Sequence, residues 1–195
     1  MTRAFLFGGQ GTEVPRMGLA LAAERPEAAA WLQYAGELAG VDAEHVLTTG
    51  GPAFSRTSVI QPLLTAVALG VASALAARGI APAFVAGHSL GELAAWSVAG
   101  AFDARTSIAI AARRGAAMER EAAQHPGGMI AVVGQSEEAV RELVRIGSAA
   151  GSVVIAAHNA AQEWTLSGDR GALDAITART ASHGYPSPVP GTRPR

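Results

Sequence analysis

The chain has 195 residues, enough for one full hydrophobic core with room for a small inserted subdomain. A net charge of -1 gives no reason to expect nucleic acid or an anionic membrane as a partner. With no cysteine, disulfides, thiolate catalysis and cysteine metal sites are excluded, and the five histidines are scattered without ligand spacing, so no metal is expected.

At the N-terminus Met1-Thr2-Arg3 runs straight into Ala4-Phe5-Leu6-Phe7, which predicts a short strand. It lacks the long apolar region and cleavage site of a signal peptide, so a cytoplasmic protein is the expectation. The strand ends in Gly8-Gly9-Gln10-Gly11, whose glycines allow close backbone approach to something bound; their spacing fits neither common nucleotide loop. Glu27 to Ala39 reads as a helix, and Thr48 to Pro52 as a polar break. The run from Val59 to Ala77 approaches the length of a membrane span. Gln61, Pro62, Thr65 and Ser73 interrupt it and much of the rest is alanine and glycine, which predicts the buried central helix of an α/β domain. Ser55, Thr57 or Ser58 is the expected cap, Pro62 is tolerable near the first turn, and Gly79 and Pro82 stop the helix.

Phe84-Val85-Ala86 then leads as a strand into Gly87-His88-Ser89-Leu90-Gly91-Glu92, and Leu93-Ala94-Ala95-Trp96 continues as a helix. A Gly-x-Ser-x-Gly turn between strand and helix lifts a serine hydroxyl out of the sheet, which makes Ser89 the candidate nucleophile. The free N-H of Leu90 and the positive end of the helix dipole lie where an oxyanion would form. Asp103 is the expected N-cap of a further helix through Ile108, Ala112 and Met118 to about Gln124.

The texture changes at His125-Pro126-Gly127-Gly128. A strand (Met129 to Val133), a helix capped by Ser136 (Glu137 to Ile146), two strands (Val153 to Ala157, Trp164 to Ser167) and a helix from Asp169 to about Ser182 give β-α-β-β-α, a split βαβ plan without its final strand. The residues after Gly184 alternate Pro186, Pro188 and Pro190, which cannot donate to a sheet ladder, so the tail is expected to be disordered. The domains expected are therefore an α/β core over residues 1–125, a small subdomain over 126–184 and a proline-rich tail over 185–195.

These motifs, taken together and in order, resemble the acyltransferase family of fatty-acid and polyketide synthesis, the malonyl-CoA:acyl-carrier-protein transacylases and their relatives in modular synthases. The residues that match are Gly9-Gln10-Gly11, Gln61-Pro62, the Gly87 to Glu92 elbow, Arg114-Gly115, Gly128-Met129, Asn159 and Ser167-Gly168. The resemblance implies an α/β-hydrolase-like large domain with an inserted ferredoxin-like subdomain. It also implies a ping-pong reaction in which Ser89 takes an acyl group from coenzyme A and hands it to the phosphopantetheine thiol of an acyl carrier protein. It assigns the oxyanion hole to the N-H groups of Gln10 and Leu90, the malonyl carboxylate to Arg114 rather than Arg113, and polar pocket contacts to Gln61 and Asn159. No cofactor is implied, the acyl-CoA being substrate.

One departure stands out. The family's general base is a histidine in a His-Ser motif after the small domain's last strand, and this chain stops before that position. His183 comes about fifteen residues too early by that pattern; His88 is beside the nucleophile, where adjacent side chains on a turn point apart; His45, His125 and His158 have no motif behind them. The expectation is a chain whose large domain lacks its C-terminal part, through a frameshift, a premature stop or a partial gene, with a second chain as one source of the histidine. An α/β serine hydrolase and a non-catalytic carrier-protein or acyl-binding module remain open alternatives.

Overall fold

The computed structural model describes residues 2–182 and 189–190. The chain divides into two compact units, Met1–Glu121 and Ala122–Arg195, the boundary lying a few residues before the change of texture at His125-Pro126.

In the first unit β1 (Ala4–Phe7) and β2 (Phe84–Gly87) pair in parallel, from Ala4 against Phe84 to Phe7 against Gly87. The helices are α1 (Leu19–Glu24), α2 (Pro26–Ala39), α3 (Ala43–Thr49), α4 (Thr57–Ala76), α5 (Gly91–Val98) and α6 (Ala104–Gln124), with a 3-10 turn at Gly51–Ser55. Helix α2 opens with Pro26 in its first turn, where the missing N-H has no intrahelical partner to lose. Two helices go beyond the sequence reading. Helix α3 falls partly in the stretch read as a polar break, and its start was written in Asp42, which accepts the backbone N-H of His45 at 3.0 Å. Helix α1 has only six residues and no side-chain cap, so it left no sequence signal.

Helix α4 is the core of this unit. It is the one described helix long and apolar enough to cross a membrane, and it packs along α2 with Val59, Ile60 and Leu63 fully buried. Leu32, Ala35, Leu47 and Ile108 close the core around it. It ends as expected at Gly79, whose φ of 72° lets the N-H groups of Gly79 and Ile80 return to the carbonyls of Ala76 and Leu75. The expected cap is corrected: the N-cap residue is Arg56, and neither Ser55, Thr57 nor Ser58 supplies a side-chain cap. The Ser58 N-H donates instead to Glu119 of α6 at 3.1 Å.

On the parallel pair, the residues Ala4, Leu6, Phe84 and Ala86 share a face, and that face is open: Leu6 is 80% and Phe84 68% exposed. Parallel strands are normally covered on both faces.

The second unit runs β3 (Gly127–Val133), α7 (Glu137–Gly147), β4 (Val153–Ala160), β5 (Glu163–Asp169), α8 (Arg170–Ser182) and β6 (Val189–Pro190). Its sheet has the order β4-β5-β3-β6 with antiparallel neighbours. Ser136 caps α7, accepting the Ala139 N-H at 3.3 Å. Ile130, Val132, Val140, Leu143, Leu166 and Ile176 form the core. The expectation of a wholly irregular tail is corrected over two residues: Val189–Pro190 pairs with Ala131 and Ile130 of β3. A proline is tolerated there because β6 is an edge strand, whose outward N-H needs no partner. His183 and the rest of the tail lie outside the described residues.

Candidate active site

The strand-to-helix turn depends on glycine in a way that can be measured. A Cβ on Gly87 would sit 2.2 Å from the Gly91 carbonyl carbon, and one on Gly91 would sit 2.2 Å from the Phe7 oxygen. Each contact is with backbone, which cannot swing aside, so both positions exclude any other residue. The turn is tied to β1 by the His88 N-H on Phe7 O at 3.0 Å, and it closes with Gly91 N-H on His88 O at 3.0 Å. Ser89 sits at its apex with φ of 54°, a left-handed conformation costing roughly 1–2 kcal/mol for a non-glycine residue. Among the described residues only Arg16 shares that property outside glycine. The hydroxyl is exposed, while Leu90 beside it is buried at 2%, so the side chain of Leu90 anchors the turn and its N-H stands at the start of α5.

The loop Gly8-Gly9-Gln10-Gly11 lies against this turn. A Cβ at Gly9 would meet His88 O at 2.8 Å and His88 Nδ1 at 3.4 Å, so the absence of a side chain is what lets the loop approach. Thr12 Oγ1 donates to Gly9 O at 2.8 Å and Gly11 N-H to Glu13 Oε2 at 2.7 Å, holding the loop's shape.

Arg114 of α6 reaches the candidate nucleophile, Ser89. Its Nη2 donates to Ser89 Oγ at 3.0 Å and its Nη1 to Gln61 Oε1 at 2.8 Å. Gln61, fully buried in α4, donates in turn to Gln10 Oε1 and to Met118 Sδ, each at 3.3 Å. Four sequence-predicted residues, Ser89, Arg114, Gln61 and Gln10, are thus joined in one hydrogen-bonded chain. Arg113 points to the exposed side of α6. Met118 went unremarked as a site residue, although its position one turn beyond Arg114 puts it on the same helix face.

Asn159 belongs to the second unit, on β4, where its Nδ2 donates to Thr165 Oγ1 at 3.2 Å. Of the histidines, His45 serves α3 through its main chain, and His158 stacks on Trp164 with ring centroids 3.6 Å apart. Among the described residues no group of three acidic or histidine side chains could hold a metal ion. Chemically, the site offers an exposed hydroxyl with a fixed cation upon it. A guanidinium donates but cannot accept a proton, so Arg114 offers this hydroxyl a donor suited to an anion and cannot act as a base toward it.

The acyl transferase domain family matches residues 4–187. Polyketide synthase GfsE of Streptomyces halstedii is 36% identical over 185 residues, covering 89% of this chain and 5% of the synthase. Among solved structures, the acyl-carrier-protein S-malonyltransferase of Bartonella henselae superposes with a TM-score of 0.87 at 28% identity, over all of this chain and 64% of that one. The MCAT of Streptococcus pneumoniae gives 0.84 at 29% identity, over 99% and 64%. The chain therefore spans about two thirds of the solved proteins it matches and a small part of the synthase.

Proposed function

Because the chain belongs to the acyl transferase domain family, we propose that its first unit loads a malonyl-type acyl group from coenzyme A onto Ser89 and passes it to an acyl carrier protein, in fatty-acid or polyketide synthesis. The observation that carries this reading is the 3.0 Å contact of Arg114 with Ser89 Oγ. A malonyl group on that oxygen ends three carbons away in a free carboxylate, within reach of the same guanidinium. A planar two-pronged donor suits both carboxylate oxygens. A serine hydrolase built on the same turn has no use for a cation against its nucleophile.

In the first half-reaction Ser89 Oγ attacks the thioester carbonyl carbon, the carbon–oxygen bond forms, and the tetrahedral oxyanion is held by the Gln10 and Leu90 N-H groups. The carbon–sulfur bond then breaks and coenzyme A leaves as a thiol, with the proton that Ser89 gave up. In the second half the phosphopantetheine thiol of the carrier protein attacks the acyl-serine, and the same steps run in reverse. Gln61 fixes Arg114 from behind. The proton passes through a histidine that this reading assigns to polypeptide outside the present sequence, as a continuation or a second chain. What supports that assignment is the open apolar face at Leu6 and Phe84 and the third of the solved transferases that this chain does not span. The setting proposed is cytoplasmic, with no membrane or nucleic-acid partner.

The test is the intact mass of the purified chain after prolonged incubation with malonyl-CoA and, separately, acetyl-CoA. Loss of a general base slows such a step by about 10²- to 10⁴-fold, so a slow malonyl adduct is expected, absent in Ser89→Ala and reduced in Arg114→Ala. No adduct from folded protein, with or without added imidazole as a surrogate base, would refute the reading for this chain.

A further inference from the structure

Arg114 is useful only if α6 holds it at a fixed height above Ser89, and the contact between α4 and α6 shows what sets that height. Residues four apart share a helix face, so Thr57 and Gln61 line one face of α4 while Gly115 and Glu119 line one face of α6. At one end Gln61 receives Arg114. In the middle Thr57 Oγ1 donates to Gly115 O at 2.9 Å, and a Cβ on Gly115 would lie 2.3 Å from Thr57 O, so the two backbones touch. At the other end Glu119 uses both carboxylate oxygens: Oε2 accepts the Ser58 N-H at 3.1 Å, and Oε1 accepts Arg56 Nε at 3.2 Å. The side chain thus bridges the N-terminal turn of α4, which has no cap of its own, to the helix that carries the arginine.

We propose that Glu119 is the positioning residue of the acyl-carboxylate site: by capping α4 from α6 it fixes the register of the two helices, and with it the placement of Arg114 over Ser89. The carboxylate is suited to this because it complements the positive end of α4 while accepting two donors at once. Met118 and Gln61 cannot replace it. Their 3.3 Å sulfur contact is weak and lies on the site side of the helix pair, leaving the far end without a strap. This inference rests on the reading of Arg114 as the carboxylate receptor.

The test is calorimetric titration of malonyl-CoA and acetyl-CoA into Ser89→Ala protein, in which no acyl transfer intrudes and binding alone is read. Tighter binding of malonyl-CoA is expected in that background, and adding Glu119→Ala lowers the malonyl-to-acetyl affinity ratio by about tenfold, as sub-ångström misplacement of a binding group implies. Acetyl-CoA affinity stays the same. Glu119→Gln, which keeps an oxygen for the Ser58 N-H, recovers part of the ratio, and Glu119→Ala has no further effect once Arg114→Ala is present. A preference that survives Glu119→Ala, or an equal fall for both ligands, overturns the positioning role and leaves the reading of Arg114 standing. A background with no malonyl preference overturns that reading, and the positioning role falls with it.

Discussion

Replacing Gly115 by alanine sets two effects of opposite sign against each other, and the structure says which wins. In an unconstrained helix the change stabilises by about 1 kcal/mol through propensity alone. Here the new Cβ would lie 2.3 Å from Thr57 O, 2.8 Å from Thr57 C and 3.0 Å from Ser58 Cα, whereas ordinary contact begins at 3.4 Å. All three atoms are backbone at the N-terminal end of α4, so relief requires α6 to withdraw by about 1 Å, an overpacking penalty of roughly 1–3 kcal/mol. The withdrawal also stretches the Thr57–Gly115 hydrogen bond, about 1 kcal/mol more. The expected net effect is destabilisation by about 1–3 kcal/mol in chemical denaturation, and about 10²-fold slower malonyl loading, because Arg114 moves with its helix. Gly70→Ala in α4 is the matched control. Its Cβ would meet the Ala28 methyl at 3.2 Å, Leu21 Cδ2 at 3.4 Å and Ala28 Cα at 3.8 Å, none of them closer than 3.0 Å, so it stays within about 1 kcal/mol of the parent. Equal stability of the two variants would refute the argument that backbone contact at Gly115 fixes the site.

Two further outcomes follow from individual hydrogen bonds. Hydrogen bonding from Ser58, with the Arg56 guanidinium, holds the Glu119 carboxyl below its usual 4.5 against the opposing effect of partial burial. A carboxylate depressed in the folded state contributes stability above its unfolded pKa and loses it as pH falls through the folded value. Stability should therefore drop from about pH 5 downward, and the drop should be shallower in Glu119→Gln, as measured by denaturation midpoints across that range; identical acid profiles would contradict it. In the second unit Trp164 is 4% exposed and its Nε1 donates to Gln135 O at 3.2 Å. Trp164→Phe strands that buried carbonyl and leaves a gap, so a loss of about 2 kcal/mol is expected in urea denaturation of the full chain, and a neutral result would show that solvent reaches Gln135.

The parts of this site that were legible in the sequence are those made by near neighbours. Gly87 and Gly91 are spaced by the turn they form, and the contacts that exclude a Cβ there explain why the pattern can be read at all. The Asp103 and Ser136 caps are likewise local, each accepting an N-H three residues on. What could not be read is the crossing of α4 and α6. Nothing near Arg114 in the chain says that its guanidinium meets Ser89; the family resemblance implies a carboxylate-binding role for Arg114 and an acyl-serine role for Ser89, and the hydrogen bond between them is seen only in the structure. Capping rules look one turn away and so point to Ser55, Thr57 and Ser58 for α4, yet the acceptor at its N-terminal turn is Glu119, 61 residues beyond Ser58. The same spatial logic accounts for β6: proline spacing argues against a strand, and it is the free edge of β3 that permits a two-residue pairing. Asp42 is a different kind of miss, since its capping signal was present and the polar surroundings masked it. Both ends of the α4–α6 contact are therefore long-range, Gln61 holding Arg114 at one and Glu119 holding Ser58 and Arg56 at the other. The turn that presents Ser89 is specified by five consecutive residues, whereas the placement of Arg114, and with it the proposed selectivity for a charged acyl group, depends on how two distant helices are held together.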